Sequence, residues 1–174
     1  MKMDLKPVTR IWLILLLVFL NISCDQLSKK MVRENINTNE RIQVLKHNLI
    51  LTKVENSGAA YSFGSSWSPV TKRIVLQLIP ALVLFVLLGM TLLRTEYPKI
   101  VVIGFCFVIG GGIGNVFDRI VHGSVTDFLY VDLGFFETEI FNMADVSIVL
   151  GAIIILFHTL FGKKETPNLK ESLE

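Results

Sequence analysis

The sequence predicts an α-helical membrane protein with four transmembrane helices and a small extramembrane β-sheet on one face. Three observations predict it. Only 18% of the 174 residues are charged while 52% are hydrophobic, against about 25% and 45–50% in an average soluble domain. Four long apolar runs stand out along the chain. The two polar segments between the first and second runs and between the third and fourth have strand-like patterning. The length suits one domain over 1–174. The net charge of +2 and the lack of a basic stripe with interleaved aromatics argue against nucleic acid as a partner.

The predicted spans are about 11–27, 74–93, 100–117 and 146–161. Crossing the ~30 Å hydrocarbon core takes ~20 apolar residues, with ~17 as the lower limit. The second run clears this although Gln77, Pro80 and Gly89 interrupt it, and the third is adequate. The first and fourth are marginal unless polar residues at their ends enter the membrane. The first run admits a second reading, a cleaved signal peptide. Lys2, Lys6 and Arg10 form a basic start, and Asn21-Ile22-Ser23-Cys24 loosely resembles a lipid-attachment site. The three later spans favour a helix. Cys24 and Cys106 both sit in apolar runs and read as packing residues.

The β-like segments are about 41–63 and 124–133. In the first, Ile42, Val44 and Leu45 precede the turn-former Asn48, and Leu49, Ile50, Leu51 and Val54 follow, as in a hairpin. Asn56-Ser57-Gly58 marks a turn after it. In the second, Val125, Phe128, Tyr130 and Val131 run up to Gly134. Four spans put both segments on one side of the membrane and both termini on the other. Lys and Arg counts do not choose the side, since the N-terminal segment, the 94–99 loop and the tail together carry eight and the 28–73 loop alone also carries eight. The tail over 162–174 is charged and expected to be disordered.

Ionisable groups in or beside a span are costly and default to function. Asp25, Asp118, Asp127 and Asp145 qualify. Asp25 has Lys29 at i+4, which reads first as an interfacial ion pair anchoring a helix end. Four glycines, Gly110, Gly111, Gly112 and Gly114, precede Asn115, Asp118 and Arg119, which share a helix face. The glycines allow close helix approach. Arg119 beside Asp118 reads as a paired charge that holds Asp118 ionised, hence a scaffold that orients its neighbours. Asp145 opens the fourth span and is either a cap or a functional carboxylate, with Asn142 competing for the cap. Asp127 lies on an apolar-flanked strand without a local cation, and is either a solvated loop residue or a site residue.

Were Asp127 and Asp145 to meet, two charges ~4 Å apart would interact by ~4 kcal/mol at an effective dielectric of about 20. The second ionisation would shift by ~3 pH units, so the pair would hold one proton near neutrality. One carboxylate would then take a proton from water while the other donates one to a carbonyl oxygen. Other chemistries fit less well. His47, His122 and His158 lack metal-ligand spacing, and neither H-E-x-x-H nor G-x-S-x-G occurs. Ser57 has no base near it in sequence. A proton- or cation-transport subunit remains an alternative, although its carboxylates should lie near mid-span. An inactive assembly protein, with individually replaceable aspartates, is a third.

Five stretches, taken together and in order, resemble the lipoprotein signal peptidases (signal peptidase II). They are Asp25-Gln26-Leu27-Ser28-Lys29, Asn56-Ser57-Gly58-Ala59-Ala60-Tyr61-Ser62-Phe63, Gly114-Asn115-Val116-Phe117-Asp118-Arg119, Val125-Thr126-Asp127-Phe128 and Phe141-Asn142-Met143-Ala144-Asp145. The resemblance covers about 11–161. It implies a four-span aspartic endopeptidase of the bacterial inner membrane that cuts a prolipoprotein just before a diacylglyceryl cysteine. It further implies Asp127 and Asp145 as catalytic dyad. Asn56, Gly58, Asn115, Arg119 and Asn142 would line the site, with Asp25, Lys29 and Asp118 in support. Both termini would be cytoplasmic and the site at the outer leaflet. The partners implied are the prolipoprotein, membrane lipids and inhibitors of the globomycin type. A monomer without metal or cofactor is expected. Ser57, Tyr61 and Met143 depart slightly from the family pattern without touching the dyad.

Overall fold

The computed structural model describes residues 6–45 and 48–162. Lys2, Lys46, His47 and the tail from 163 lie outside the described residues. Four helices are long and apolar enough to cross a membrane: α1 (Pro7–Asn35), α2 (Pro69–Leu93), α3 (Lys99–Val121) and α4 (Met143–Phe161). All four predicted spans are therefore present, each inside a longer helix. The α1 helix shows why. Its 29 residues extend ~43 Å, so its C-terminal third rises past the hydrocarbon. It does not stop at Leu27, because Asp25 and Lys29 neutralise each other on one face at 2.8 Å. Pro7 starts it, where a missing N–H costs nothing. Near this end Arg10 is buried and donates to the carbonyls of Thr91, Leu92 and Arg94, which closes the C-terminus of α2.

The α3 helix is the centre of the bundle, with half of its apolar window buried, while the other three turn most of their side chains outward. Exposed Trp12, Phe19, Phe85 and Phe157 suit a lipid-facing surface. The inner core joins Ile14 and Val18 of α1 to Val102, Cys106 and Ile109 of α3. Cys106 is thus a packing residue as expected, but Cys24 is exposed on the helix surface. The α3 glycines permit these approaches. A Cβ on Gly111 would strike the Ala144 carbonyl of α4, and one on Gly114 would strike Asp25 of α1. The glycine face is therefore filled by the protein's own helices.

The polar segments pair into one three-stranded antiparallel sheet, ordered β1 (Ile42–Leu45), β2 (Leu49–Asn56) and β3 (Val125–Val131). Asn48 stands in the hairpin turn, as its type predicts. Strand structure ends at Asn56, so the expected β-like stretch to 63 is shorter. Beyond it the chain makes tight turns, with Tyr61 at φ 55° and Ser62 at φ 54°. Cross-strand register sets Val54 opposite Asp127 and Asn56 opposite Val125. Opposed residues point to one side and alternate along a strand. Asp127 and Asn56 thus share a sheet face. Thr126 and Phe128 share the other, where Phe128 packs on Val32 of α1 and on Ile36 just past its end.

Candidate active site

The chain after β3 returns to it. The Phe141 amide donates to the Leu129 carbonyl at 2.9 Å, and the Phe128 amide donates to the Phe141 carbonyl at 2.9 Å. This docks Asn142 beside Asp127 just before α4 begins. Asn142 is fully buried. Its Nδ2 donates to Asp127 Oδ1 at 2.6 Å and to Asn115 Oδ1 at 3.2 Å. Its Oδ1 accepts the Asp145 amide at 3.1 Å, and its own amide donates to Asp145 Oδ2 at 3.1 Å. That reciprocal pair is a capping box. The sequence sets Asn142 and Asp145 in competition for the cap; in the structure Asn142 is the N-cap and Asp145 shares the capping box through one oxygen. The other oxygen of Asp145, Oδ1, faces the site and accepts from Asn115 Nδ2 at 2.8 Å.

Asp127 and Asp145 thus converge on one residue, with Asn115 closing the ring. Asn56 Nδ2 donates to Asp127 Oδ2 at 3.1 Å, while Asn56 Oδ1 accepts the Gly58 amide at 2.9 Å. Burial pushes the Asp127 carboxyl up to about 6; the amides of Asn142 and Asn56 pull it back, and the Asp145 carboxylate adds to the rise. A cavity of about 350 Å³ opens on both carboxylates, with Asn56, Tyr61, Asn115 and Arg119 in its wall.

Arg119 and Asp118 part company, which corrects their reading as a pair. Adjacent helix positions are ~100° apart. Arg119 turns to the cavity, where Nη2 donates to the Gly58 carbonyl at 2.8 Å and Nη1 to the Asn115 carbonyl at 3.3 Å. Its Nε is buried without a partner among the described residues. Asp118 turns to α1 and meets Lys29 at 3.0 Å and Arg33 at 3.6 Å. Lys29 also bonds Asp25 and donates to Asn115 Oδ1 at 3.0 Å. Asp25 Oδ1 accepts the Ala144 amide at 2.9 Å. The Asp25–Lys29 pair is therefore no interfacial anchor. It is a fully buried strut that joins α1 to Asn115 and to the start of α4.

Every candidate site residue implied by the resemblance lies in this network. Sequence reasoning missed three others. Gln26 donates to Asp25, Asp118 and the Gly114 carbonyl. Thr126 bridges Arg33 and Glu55. Gln77 donates to the Arg119 carbonyl at 3.0 Å, from a π-helical stretch over Arg73–Leu78. Gln77 was legible in principle, being a lone amide in an apolar run. Ser57 does have a basic neighbour in space, since Lys72 Nζ donates to its Oγ at 3.2 Å. The carboxylates gather at one end of the bundle, away from the mid-span positions that transport would favour.

The model of the family described as signal peptidase (SPase) II matches residues 17–161. The lipoprotein signal peptidase of Neisseria gonorrhoeae is 33% identical over 166 residues, which covers 95% of this chain and 98% of that one. That of Listeria monocytogenes is 30% identical over 151 residues, covering 86% and 94%. A solved bacterial membrane enzyme superposes with a TM-score of 0.76 at 26% identity, covering 88% of this chain and 92% of the other. A second, at 24% identity, superposes with a TM-score of 0.74 over 86% and 94% and speaks to the fold alone.

Proposed function

The chain belongs to the signal peptidase II family, and on that premise we propose that it is an aspartic endopeptidase that removes the signal peptide from prolipoproteins by cutting before a diacylglyceryl cysteine. Asp127 and Asp145 are the catalytic pair. The observation that carries this reading is their convergence on Asn142, which binds Asp127 through its side chain and Asp145 through its backbone.

The two carboxyls differ in surroundings. Asp127 is buried and raised to about 6, so we assign it the shared proton. Asp145 Oδ1 accepts an amide hydrogen from Asn115, which holds that oxygen facing the cavity. In the cleavage step Asp145 takes a proton from water as the oxygen attacks the scissile carbonyl carbon. Asp127 gives its proton to the carbonyl oxygen, and a tetrahedral diol results. On collapse the C–N bond breaks, the amine leaves with a proton from Asp145, and the diol hydroxyl returns one to Asp127. The pair ends in its starting state. Arg119 Nε, buried and unpartnered at the cavity wall, is the donor for a substrate carbonyl, and Asn56 and Gly58 hold the turn beside it.

A substrate anchored by acyl chains suits this depth. Each buried methylene contributes ~0.8 kcal/mol, and the chains hold the cleavage site at headgroup level. The carboxylates lie at span ends. We assign the enzyme to the bacterial inner membrane as a monomer, with both termini cytoplasmic and the site at the outer leaflet, where globomycin-type peptides would block it. The test is cleavage of a purified diacylglyceryl prolipoprotein by wild type, Asp127→Asn and Asp145→Asn, with and without globomycin. Both variants should enter the membrane and cleave nothing. Turnover by both single variants would overturn the dyad.

A further inference from the structure

On the side of α3 away from Asp127 and Asp145, α1 and α3 leave an open groove of about 610 Å³. Ile22 and Leu27 of α1 and Phe117 and Val121 of α3 make its apolar walls. Lys30 and Arg33 line it from the end of α1 and His122 from just past α3, and among the described residues no carboxylate does. We propose that this groove binds an anionic phospholipid, with its phosphate among Lys30, Arg33 and His122 and an acyl chain along Leu27 and Ile22.

Length, charge and depth all support that occupant. Ile22 to Arg33 spans ~16 Å along α1, enough for most of an acyl chain. The basic groups stand at the helix ends on the sheet side, the level at which a phosphate sits when chains lie along the span. Basic pockets between membrane helices recognise anionic headgroups in this way. The cations are not fully used within the protein. Among the described residues Lys30 pairs only with Glu34, at 3.8 Å, and both side chains are more than half exposed, so that pair is weak. Arg33 turns Nη1 inward to Thr126 at 3.0 Å and towards Asp118 at 3.6 Å, and stays 24% exposed.

The groove is separate from the peptidase site. Phe117 follows Asn115 by two residues, ~200° around the helix, and no residue lines both cavities. A diacylglyceryl cysteine carries no phosphate and has no use for three basic groups. The inference therefore stands apart from the catalytic assignment.

The test uses the purified full-length protein in detergent with equal phosphatidylglycerol and phosphatidylcholine, read by native mass spectrometry. Wild type should retain phosphatidylglycerol about fivefold or more over phosphatidylcholine. The double variant Lys30→Gln, His122→Gln should lose that preference with its thermal unfolding unchanged. Leu27→Trp fills the apolar half without altering charge and should lower retention of phosphatidylglycerol. Equal retention of both lipids by wild type overturns the proposal, as does an unchanged preference in the double variant or undiminished retention in Leu27→Trp.

Discussion

The Asn142 side-chain amide donates to Asp127 Oδ1 at 2.6 Å, while the same side chain caps the helix that carries Asp145. One residue thereby fixes how the two carboxylates stand to each other. Asn142→Ala removes a cap worth about 0.5–2 kcal/mol and the shortest donor to Asp127. We expect cleavage to fall by about a hundredfold or more, since small misplacements of reacting groups cost that much. The unfolding temperature should drop with it. Asn142→Asp retains a capping oxygen but adds a negative charge to the dyad, so stability should recover more than activity. Full turnover by Asn142→Ala would remove Asn142 from the positioning role.

Asp127, raised to about 6 from 3.8, sets the pH dependence of cleavage. Its proton-donating form declines as pH rises through that value. The kcat/KM profile of the free enzyme should have an alkaline limb near pH 6. Asn56 donates to Asp127 Oδ2 and so favours the ionised form. Asn56→Ala should therefore move the limb to higher pH. A profile whose alkaline limb stays in place in that variant contradicts the assignment.

The same shift has a stability consequence. A carboxyl whose folded pKa is raised stabilises the fold least when ionised. Its contribution is full below 3.8 and is lost as pH rises through about 6. The cost at pH 8 is about 3 kcal/mol at most. Asp127→Asn removes that cost but offers one acceptor to the two donors Asn142 and Asn56, which reduces the gain. The unfolding temperature of Asp127→Asn relative to wild type should rise between pH 4 and pH 8. A difference that is flat across that range argues against an ionised, buried Asp127.

The spans and the hairpin were legible because burial imposes periods that a sequence displays. Apolar runs marked the helices, and Asn48 with alternating residues marked β1 and β2. The true length of α1 was not legible, because its last turns are polar and depend on Asp118 from α3 to neutralise Lys29. The partner of Asp118 was misread for a related reason. Nearness in sequence favours Arg119, but the helical twist of ~100° per residue turns the two to different faces. The meeting of Asp127 and Asp145 needs Phe141 to pair with β3, a non-local contact that no local pattern encodes. The turns over 57–63 follow from left-handed residues, Tyr61 and Ser62, whose types do not announce that conformation.

Lys29 is fully buried between Asp25 and Asp118. Lys29→Met would leave two buried carboxylates facing each other with Arg33 at 3.6 Å as the nearest remaining cation. Breaking a buried ion cluster by removing one partner costs about 3–5 kcal/mol. The triple variant Asp25→Asn, Lys29→Met, Asp118→Asn removes the stranded charge and should recover much of that loss. Chemical unfolding of the purified variants in micelles measures both. If Lys29→Met is as stable as wild type, the cluster is not the strut described.

Gly111 and Gly114 hold the start of α4 against α3 and α1, and that is where Asp145 is aimed. A Cβ at Gly111 meets the Ala144 backbone carbonyl, which has no rotamer to yield. A Cβ at Gly114 meets Asp25 Oδ2, which is tied to Lys29 and the Ala144 amide. Overpacking of this kind costs about 1–3 kcal/mol. Because the displaced group adjoins Asp145, Gly111→Ala should lose cleavage out of proportion to its stability. Gly89→Ala is the control, since a Cβ there meets nothing within 4 Å, and it should be neutral or stabilising by up to about 1 kcal/mol. Equal effects of Gly111→Ala and Gly89→Ala on cleavage and unfolding would mean that the close approach of α3 to α4 does not position the dyad.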